Sequence, residues 1–541
     1  MKKIAALVLT CCLITGCSAA PVETTVPAVA EIQVPETEAI QFRPVGEVVA
    51  IQLQNQNITV AGDGSGVFVS RDIVYYEDKA EYDSGNPYGE GDAWEMHTAQ
   101  EAAAHLVVNI TKPGTYCLSG KLDKGQIRID LGEDAYEDPD AVVNLILDGV
   151  EITCTVGPAI LFQNVYEYDG NWSVDNAKPD VDTTAAGANL ILAEGSQNVV
   201  NGSHVAKIYK DKEGGKKLWK QDGAVYSYMS MNVYGPGGLD IYADNEGLDT
   251  ELHLTIWGGD IVIRSGNDGI NTNEDGVSVT TILGGKLHVL AGLRDEGDGI
   301  DSNGYLVIRG GTVIASAHPA SDAGLDSDLG SFIHGGTVIA LGSAMDWAES
   351  DSDQVTMNLQ FARQQSAGSD IVITGEDGTV IFSYDPRQDA AVGENLRAFQ
   401  GVILSCPQFQ VGENYQVFAG GVQMAYTGTD VMRFPGGMGG PGGGQRPQGG
   451  GPNLPGGVTP PGDMPQPPEG DFTIPPQPGT DIPSMPDGGT MPSMPQGEFP
   501  QGGPMGPGGF GGYGTGEEGQ KQTIFFMQDK VNFFSGLTQA E

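Results

Sequence analysis

Four short acidic turns hold the residues best placed to do chemistry. They are Glu246-Gly-Leu-Asp249, Asp268-Gly-Ile-Asn271, Asp298-Gly-Ile-Asp301 and Ala323-Gly-Leu-Asp326. Further polar side chains crowd the same turns, among them Asn273, Asp275, Asn303 and Asp328. If the turns stack, their carboxylates repel one another unless a cation sits between them. Carboxylate and amide oxygens in irregular turns suit Ca²⁺, which accepts six to eight oxygens in loose geometry, whereas Mg²⁺ demands a strict octahedron. The candidate Ca²⁺ ligands are therefore Glu246, Asp249, Asp268, Asn271, Asp298, Asp301, Asn303 and Asp326. Asp and Asn also occupy turns that hold no metal. Recurrence of the acid at one register favours the ion, and Ala323 weakens the last interface.

The elements that must position these turns are legible as a repeat. Gly-Gly pairs begin at residues 258, 284, 310 and 335, at spacings of 26, 26 and 25. Two residues before each pair stand Ile256, Ile282, Ile308 and Ile333. Three residues after its first Gly stand Ile261, Leu287, Val313 and Val338. Variable, largely polar residues separate these aliphatic columns, which is the alternation of a strand with one buried face. No 3.6-residue period appears. An all-β period near 25 residues predicts rungs of a right-handed parallel β-helix, a solenoid whose stacked aliphatic residues form one continuous core. Weaker rungs upstream, such as 145–152 with Leu147 and Ile152 in the same columns, extend the solenoid over about 105–345. Residues 42–104 are expected to form the N-terminal region and cap, and 346–433 a small β cap shielding the last rung.

Composition divides the rest of the chain. Of 81 Gly and 33 Pro in 541 residues, 28 Gly and 20 Pro fall in 434–519. That segment has little with which to build a core and is expected to be a disordered excursion. The apolar runs in 520–541 are then expected to return to the fold. The net charge of −44 argues against nucleic acid and acidic lipid head groups as partners. Lys2 and Lys3 precede an apolar run too short to span a bilayer, and the run ends in Gly16-Cys17. Residues 1–16 therefore resemble a signal peptide and Cys17 the lipidated residue of a bacterial lipoprotein, with 17–41 as its flexible tether. The expected location is extracytoplasmic, anchored to the cell membrane by lipid, and the expected state is a monomer. Cys117, Cys154 and Cys406 remain as an odd set, which leaves a Cys117–Cys154 pair open.

Gly114-Thr-Tyr-Cys-Leu-Ser-Gly120, Gly125-Gln-Ile-Arg-Ile-Asp130, Leu145-Ile-Leu-Asp-Gly149, Gly269-Ile-Asn271 and Asp298-Gly-Ile-Asp-Ser-Asn303, followed by the Gly-Gly rungs, together carry a resemblance. The set resembles the clostridial calcium-binding, polysaccharide-binding parallel β-helix proteins, whose fold is similar to that of pectate lyases. The resemblance implies Ca²⁺ at the acidic turns and a plant-type polysaccharide ligand such as cellulose or polygalacturonate. Sugars are gripped by exposed aromatic faces and polar groups. That makes Trp257, Tyr305, Arg309 and Trp347 the candidate carbohydrate-binding residues. Trp257 shares its variable column with Arg309 and His334, which favours exposure. A Ca²⁺-dependent lyase is an alternative, with Arg309 as its base; a non-catalytic surface adhesin or scaffold is another. Binding without catalysis is the expectation carried forward.

Overall fold

The computed structural model describes residues 45–540, apart from 56, 78–90, 92, 169–172, 210–216, 295, 344–345 and 431–519. The expected signal peptide, Cys17, its tether and the Gly/Pro-rich segment lie outside the described residues. The described chain is nearly all β. Its one α-helix, Ala99–Ala103, is opened by a capping box between Thr98 and Glu101.

Three ladders of parallel strands organise the repeat. The first runs through Val143–Thr153, Ala188–Leu192, Met231–Tyr234, Leu254–Ile256, Val279–Ile282, Tyr305–Ile308 and Gly330–Ile333. The second runs through Gln197–Gly202, Gly238–Ala243, Asp260–Ser265, Lys286–Leu290, Thr312–Ser316 and Thr337–Gly342. The third runs through Leu106–Ile110, Gly125–Asp130, Ile160–Asn164, Gly223–Ser227, Glu246–Thr250 and Ile270–Thr272, and ends in single bridges at Ile300 and Leu325. From residue 254 onward the chain visits them in fixed order: first, second, third, then the first again.

The aliphatic columns coincide with the ladder registers. Ile256 pairs with Ile282, Ile282 with Ile308 and Ile308 with Ile333. Ile261, Leu287, Val313 and Val338 form the matching column of the second ladder. Both columns are buried in one cluster that also takes Leu248, Ile270, Ile300 and Leu325 from the third ladder. At the corner between the first two ladders the second Gly of each pair has a positive φ, as at Gly285 (+80°) and Gly311 (+78°). The first Gly is close-packed as well: a Cβ on Gly335 would lie 2.3 Å from the Arg309 carbonyl oxygen. At the last two pairs both places are thereby closed to larger residues.

The upstream rung is corrected by two residues. Leu145, not Leu147, stands in the Ile256 column, through Leu190 and Val233. Val150, not Ile152, leads to Ile261 through Asn198 and Leu239. A shift of two preserves the face of a strand, so the buried pattern survives. Parallel pairing also begins earlier than expected, where Val48–Leu53 joins Gly114–Leu122.

Past residue 342 most pairing turns antiparallel, although Thr356–Gln365 and Val531–Gln539 run parallel. Phe399–Ser405 pairs with the last strand of the second ladder, Thr337–Gly342. Thr356–Gln365 pairs with Phe399–Ser405 on one side and with Val531–Gln539 on the other. A second buried cluster fills this region, with Phe525 and Phe534 against Tyr426. Cys117, Cys154 and Cys406 are all free thiols.

Candidate functional site

The third ladder gathers the acidic turns. Its register aligns Leu248, Ile270, Ile300 and Leu325. The flanking residues therefore stack as two columns: Glu246, Asp268, Asp298 and Ala323 on one side, Asp249, Asn271, Asp301 and Asp326 on the other. The turn glycines permit this closeness. A Cβ on Gly269 would strike the Val289 side chain at 1.9 Å and the Gly299 carbonyl at 2.5 Å.

Backbone amides satisfy part of the column. Asp298 N–H donates to Asp268 Oδ1 at 2.7 Å, and Ala323 N–H donates to Asp298 Oδ1 at 2.6 Å. The Asn271 amide donates to Glu246 Oε1 at 3.3 Å, and the Asn273 amide donates to Asp249 Oδ1. Other oxygens are left over. Glu246 Oε2, Asp249 Oδ2 and Asn271 Oδ1 are buried with no hydrogen-bond partner among the described residues. Buried acceptors left unmatched are costly, so they need a proton or a cation. Asn303 points elsewhere, donating to the Asn273 carbonyl at 2.8 Å and to Asp275 at 3.1 Å.

Burial drives the carboxyls upward in pKa, and neighbouring carboxylates push further. Asp298 is raised to about 9 by burial, then by Asp326 and Asp268. Asp301 is raised well above its ordinary value by burial, then by Asp326 and Asp298. Asp268 rises through burial, then Glu246 and Asp301. Asp326 rises through burial and the Asp322 charge. Asp249 rises through burial and its contact with Glu246, to which a protonated Asp249 can donate.

Two residues of this site were missed from the sequence. Asp222, Glu246 and Asp249 bring one oxygen each to within 4.8 Å of one another. Lys220 is beside them, its Nζ 2.8 Å from Asp222 Oδ2 and 2.6 Å from Asn273 Oδ1. Burial works against its charge, but Asp222, Glu246, Asp249 and Glu251 hold the ammonium well above its usual range. Lys220 and Asp222 lie outside the repeated turn motif, and no spacing signal marks them. Hard oxygen donors, three of them carboxylates, with orphaned acceptors among them, fit Ca²⁺.

The candidate sugar-binding residues occupy the first ladder. Its outer column runs Tyr234, Trp257, Leu283, Arg309 and His334, each one position past the aliphatic column. Trp257 is half-buried. Its ring stacks on Tyr234 at 5.7 Å, and its indole N–H donates to Asn232 at 3.0 Å. Arg309 is exposed and paired with Asp180 at 3.5 Å. Tyr305 is half-buried beside Phe332, which stacks on His334. Trp347 is a correction: it is 7% exposed and packs in the main core, so its ring has no free face for a sugar. Arg309 as a base beside the acidic turns is a second correction. It follows a first-ladder strand and pairs with Asp180, while the turns flank the third ladder.

Comparison with known proteins agrees with a carbohydrate-related class. A family model described as carbohydrate-binding domain-containing protein matches residues 105–169 and 174–396, just over half of the chain. The chain belongs to this family. A carbohydrate-binding domain-containing protein of Acetivibrio thermocellus is 30% identical over 159 residues. That match covers 29% of this chain and 45% of the relative's own length. No solved structure matches the chain at comparable stringency.

Proposed function

We propose that this chain is a lipid-anchored, extracytoplasmic protein that binds polysaccharide on the outer face of a Ca²⁺-stabilised parallel β-helix. The fixed order of the three ladders supports one closed coil, and the strong bias of parallel crossovers supports a right-handed one. Family membership supports a carbohydrate ligand. One observation carries the choice of surface. The outer column of the first ladder offers the Trp257 ring and, past Leu283, the Arg309 guanidinium and His334 imidazole on successive rungs, with Tyr305 and Phe332 alongside. Rungs repeat at the strand spacing of about 4.8 Å, so a chain-like ligand can span several of them. The polymer class is plant-type, cellulose or polygalacturonate, by the resemblance above.

When bound, Ca²⁺ would supply charge neutralisation to the buried carboxylates. Asp222, Glu246, Asp249 and Asn271 would hold it at one end of the column, and Asp268, Asp298, Asp301 and Asp326 at the other. Cys17 is the proposed lipidation site.

A glycan array on the full mature chain, with Ca²⁺ and with chelator, tests the reading. Retention of β-linked glucan or polygalacturonate, weakened at least tenfold by Arg309→Ala, is the expected result. An array blank in both buffers would leave the adhesin or scaffold reading in its place. Release of unsaturated products from polygalacturonate would instead establish a lyase.

A further inference from the structure

One member of the carboxylate trio Asp222, Glu246 and Asp249 is ion-paired with Lys220, whose charge is also felt by the other two. Lys220 arrives on an insertion, not on a rung. Val205–Tyr209 and Lys217–Gln221 form a two-stranded antiparallel sheet that pairs with neither of the larger sheets. The ammonium closes on Asp222 at 2.8 Å and on the Asn273 amide oxygen at 2.6 Å. The ammonium thus contacts one carboxylate of three that lie within 4.8 Å of one another, and Glu246 Oε2, Asp249 Oδ2 and Asn271 Oδ1 still lack a hydrogen-bond partner among the described residues. Glu246 and Asp249 are both more than nine-tenths buried. A single compact +1 charge leaves this pocket under-neutralised, and a divalent ion with six to eight oxygen ligands would answer both the charge and the orphaned acceptors.

We infer that Lys220 is a tethered counter-cation that occupies the metal position of this trio, so that a divalent cation enters only by displacing the ammonium. The trio is then a weakened, exchangeable site. Its occupancy is coupled to the position of the arm that carries Lys220. At Asp268, Asp298, Asp301 and Asp326 the neighbouring groups are backbone amides and other carboxylates, with no Lys or Arg among those acting most strongly. This inference rests on the Ca²⁺ reading above and adds to it an order of filling.

The test is titration of the full mature chain and of Lys220→Met with Ca²⁺ by calorimetry and with Tb³⁺ by tyrosine-sensitised emission. Tyr226, opposite Asp249 in the ladder, is the nearby sensitiser. Lys220→Met is expected to bind at least tenfold more tightly at the trio, or to show one added equivalent, with brighter Tb³⁺ emission. Unchanged or weaker binding overturns the inference. Lys220→Gln, which keeps a donor for Asn273, provides a second variant and should shift in the same direction. If Lys220→Met folds only with Ca²⁺ present, that is the same exchange read as folding; failure of both variants to fold with or without Ca²⁺ overturns it. The Ca²⁺ reading fails separately, if the unaltered chain binds no Ca²⁺ at all.

Discussion

The two ends of the acidic column are built from the same residue types on the same ladder, yet they are neutralised differently. At one end Asp222, clustered with Glu246 and Asp249, pairs with Lys220, an ammonium carried by a non-repeating arm. At the other, Asp268, Asp298, Asp301 and Asp326 are raised by burial and by neighbouring carboxylates, Glu246 and Asp322 included. A repeat multiplies whatever it contains. Aliphatic residues multiplied in this way make a core, whereas carboxylates multiplied in this way make a growing electrostatic cost. The insertion relieves that cost where it reaches. Beyond its reach backbone amides relieve part of it, and protons or a solute cation must do the rest.

The largest expected effect is on stability against pH. The distal carboxyls hold protons more tightly folded than unfolded, so the metal-free chain gains stability in acid. That gain is complete below the ordinary Asp value of 3.8 and is lost as pH rises through the raised values, to about 9 for Asp298. Melting of the chelated protein should therefore fall steadily from about pH 5 to about pH 9, and Ca²⁺ should restore most at the alkaline end. A flat profile in chelator would break the comparison. Next in size is Asp301→Asn, which removes one member of the repelling set. It is expected to raise metal-free stability at neutral pH by roughly 1–2 kcal/mol and to reduce the Ca²⁺-induced shift, both measured by denaturant unfolding.

Trp257→Ala, on the other ladder, separates the sugar face from the column. Loss of the Tyr234 stack and the Asn232 bond should cost about 1–2 kcal/mol. Polysaccharide retention should drop while the Ca²⁺ response stays intact; a lost Ca²⁺ response would show that the two faces are not independent. The smallest effect is expected at Asp222→Asn. Asn273 still accepts from Lys220, and removing the Asp222 charge relieves Glu246 and Asp249, so the two effects offset and destabilisation should stay under about 1 kcal/mol. A larger loss would mean that Asp222 alone fixes the ammonium.

Much of this was legible in the sequence because the repeat is regular. Equal spacing put Ile256, Ile282, Ile308 and Ile333 in one column, and strand pairing put them side by side. The same regularity aligned the acids of the third ladder. Legibility failed where the period fails. The segment around Leu145 lacks the Gly-Gly corner, and its register slipped by two with no change in which residues are buried. Trp347 follows the last Gly-Gly rung, so no column could reveal its burial. Lys220 and Asp222 belong to an insertion whose contacts with the column depend on the path of one arm.

By itself the sequence determined the all-β repeat, the aliphatic columns and the stacking of acidic turns. Each follows from local alternation and a period that stacked strands must share. Only the tertiary structure decided which oxygens are left without partners, that an internal ammonium pairs with Asp222 beside Glu246 and Asp249, and that Arg309 and the acidic turns occupy different ladders. Those outcomes depend on where separate segments meet in space, and a charge buried at such a meeting point is governed by its neighbours rather than by its place in the repeat.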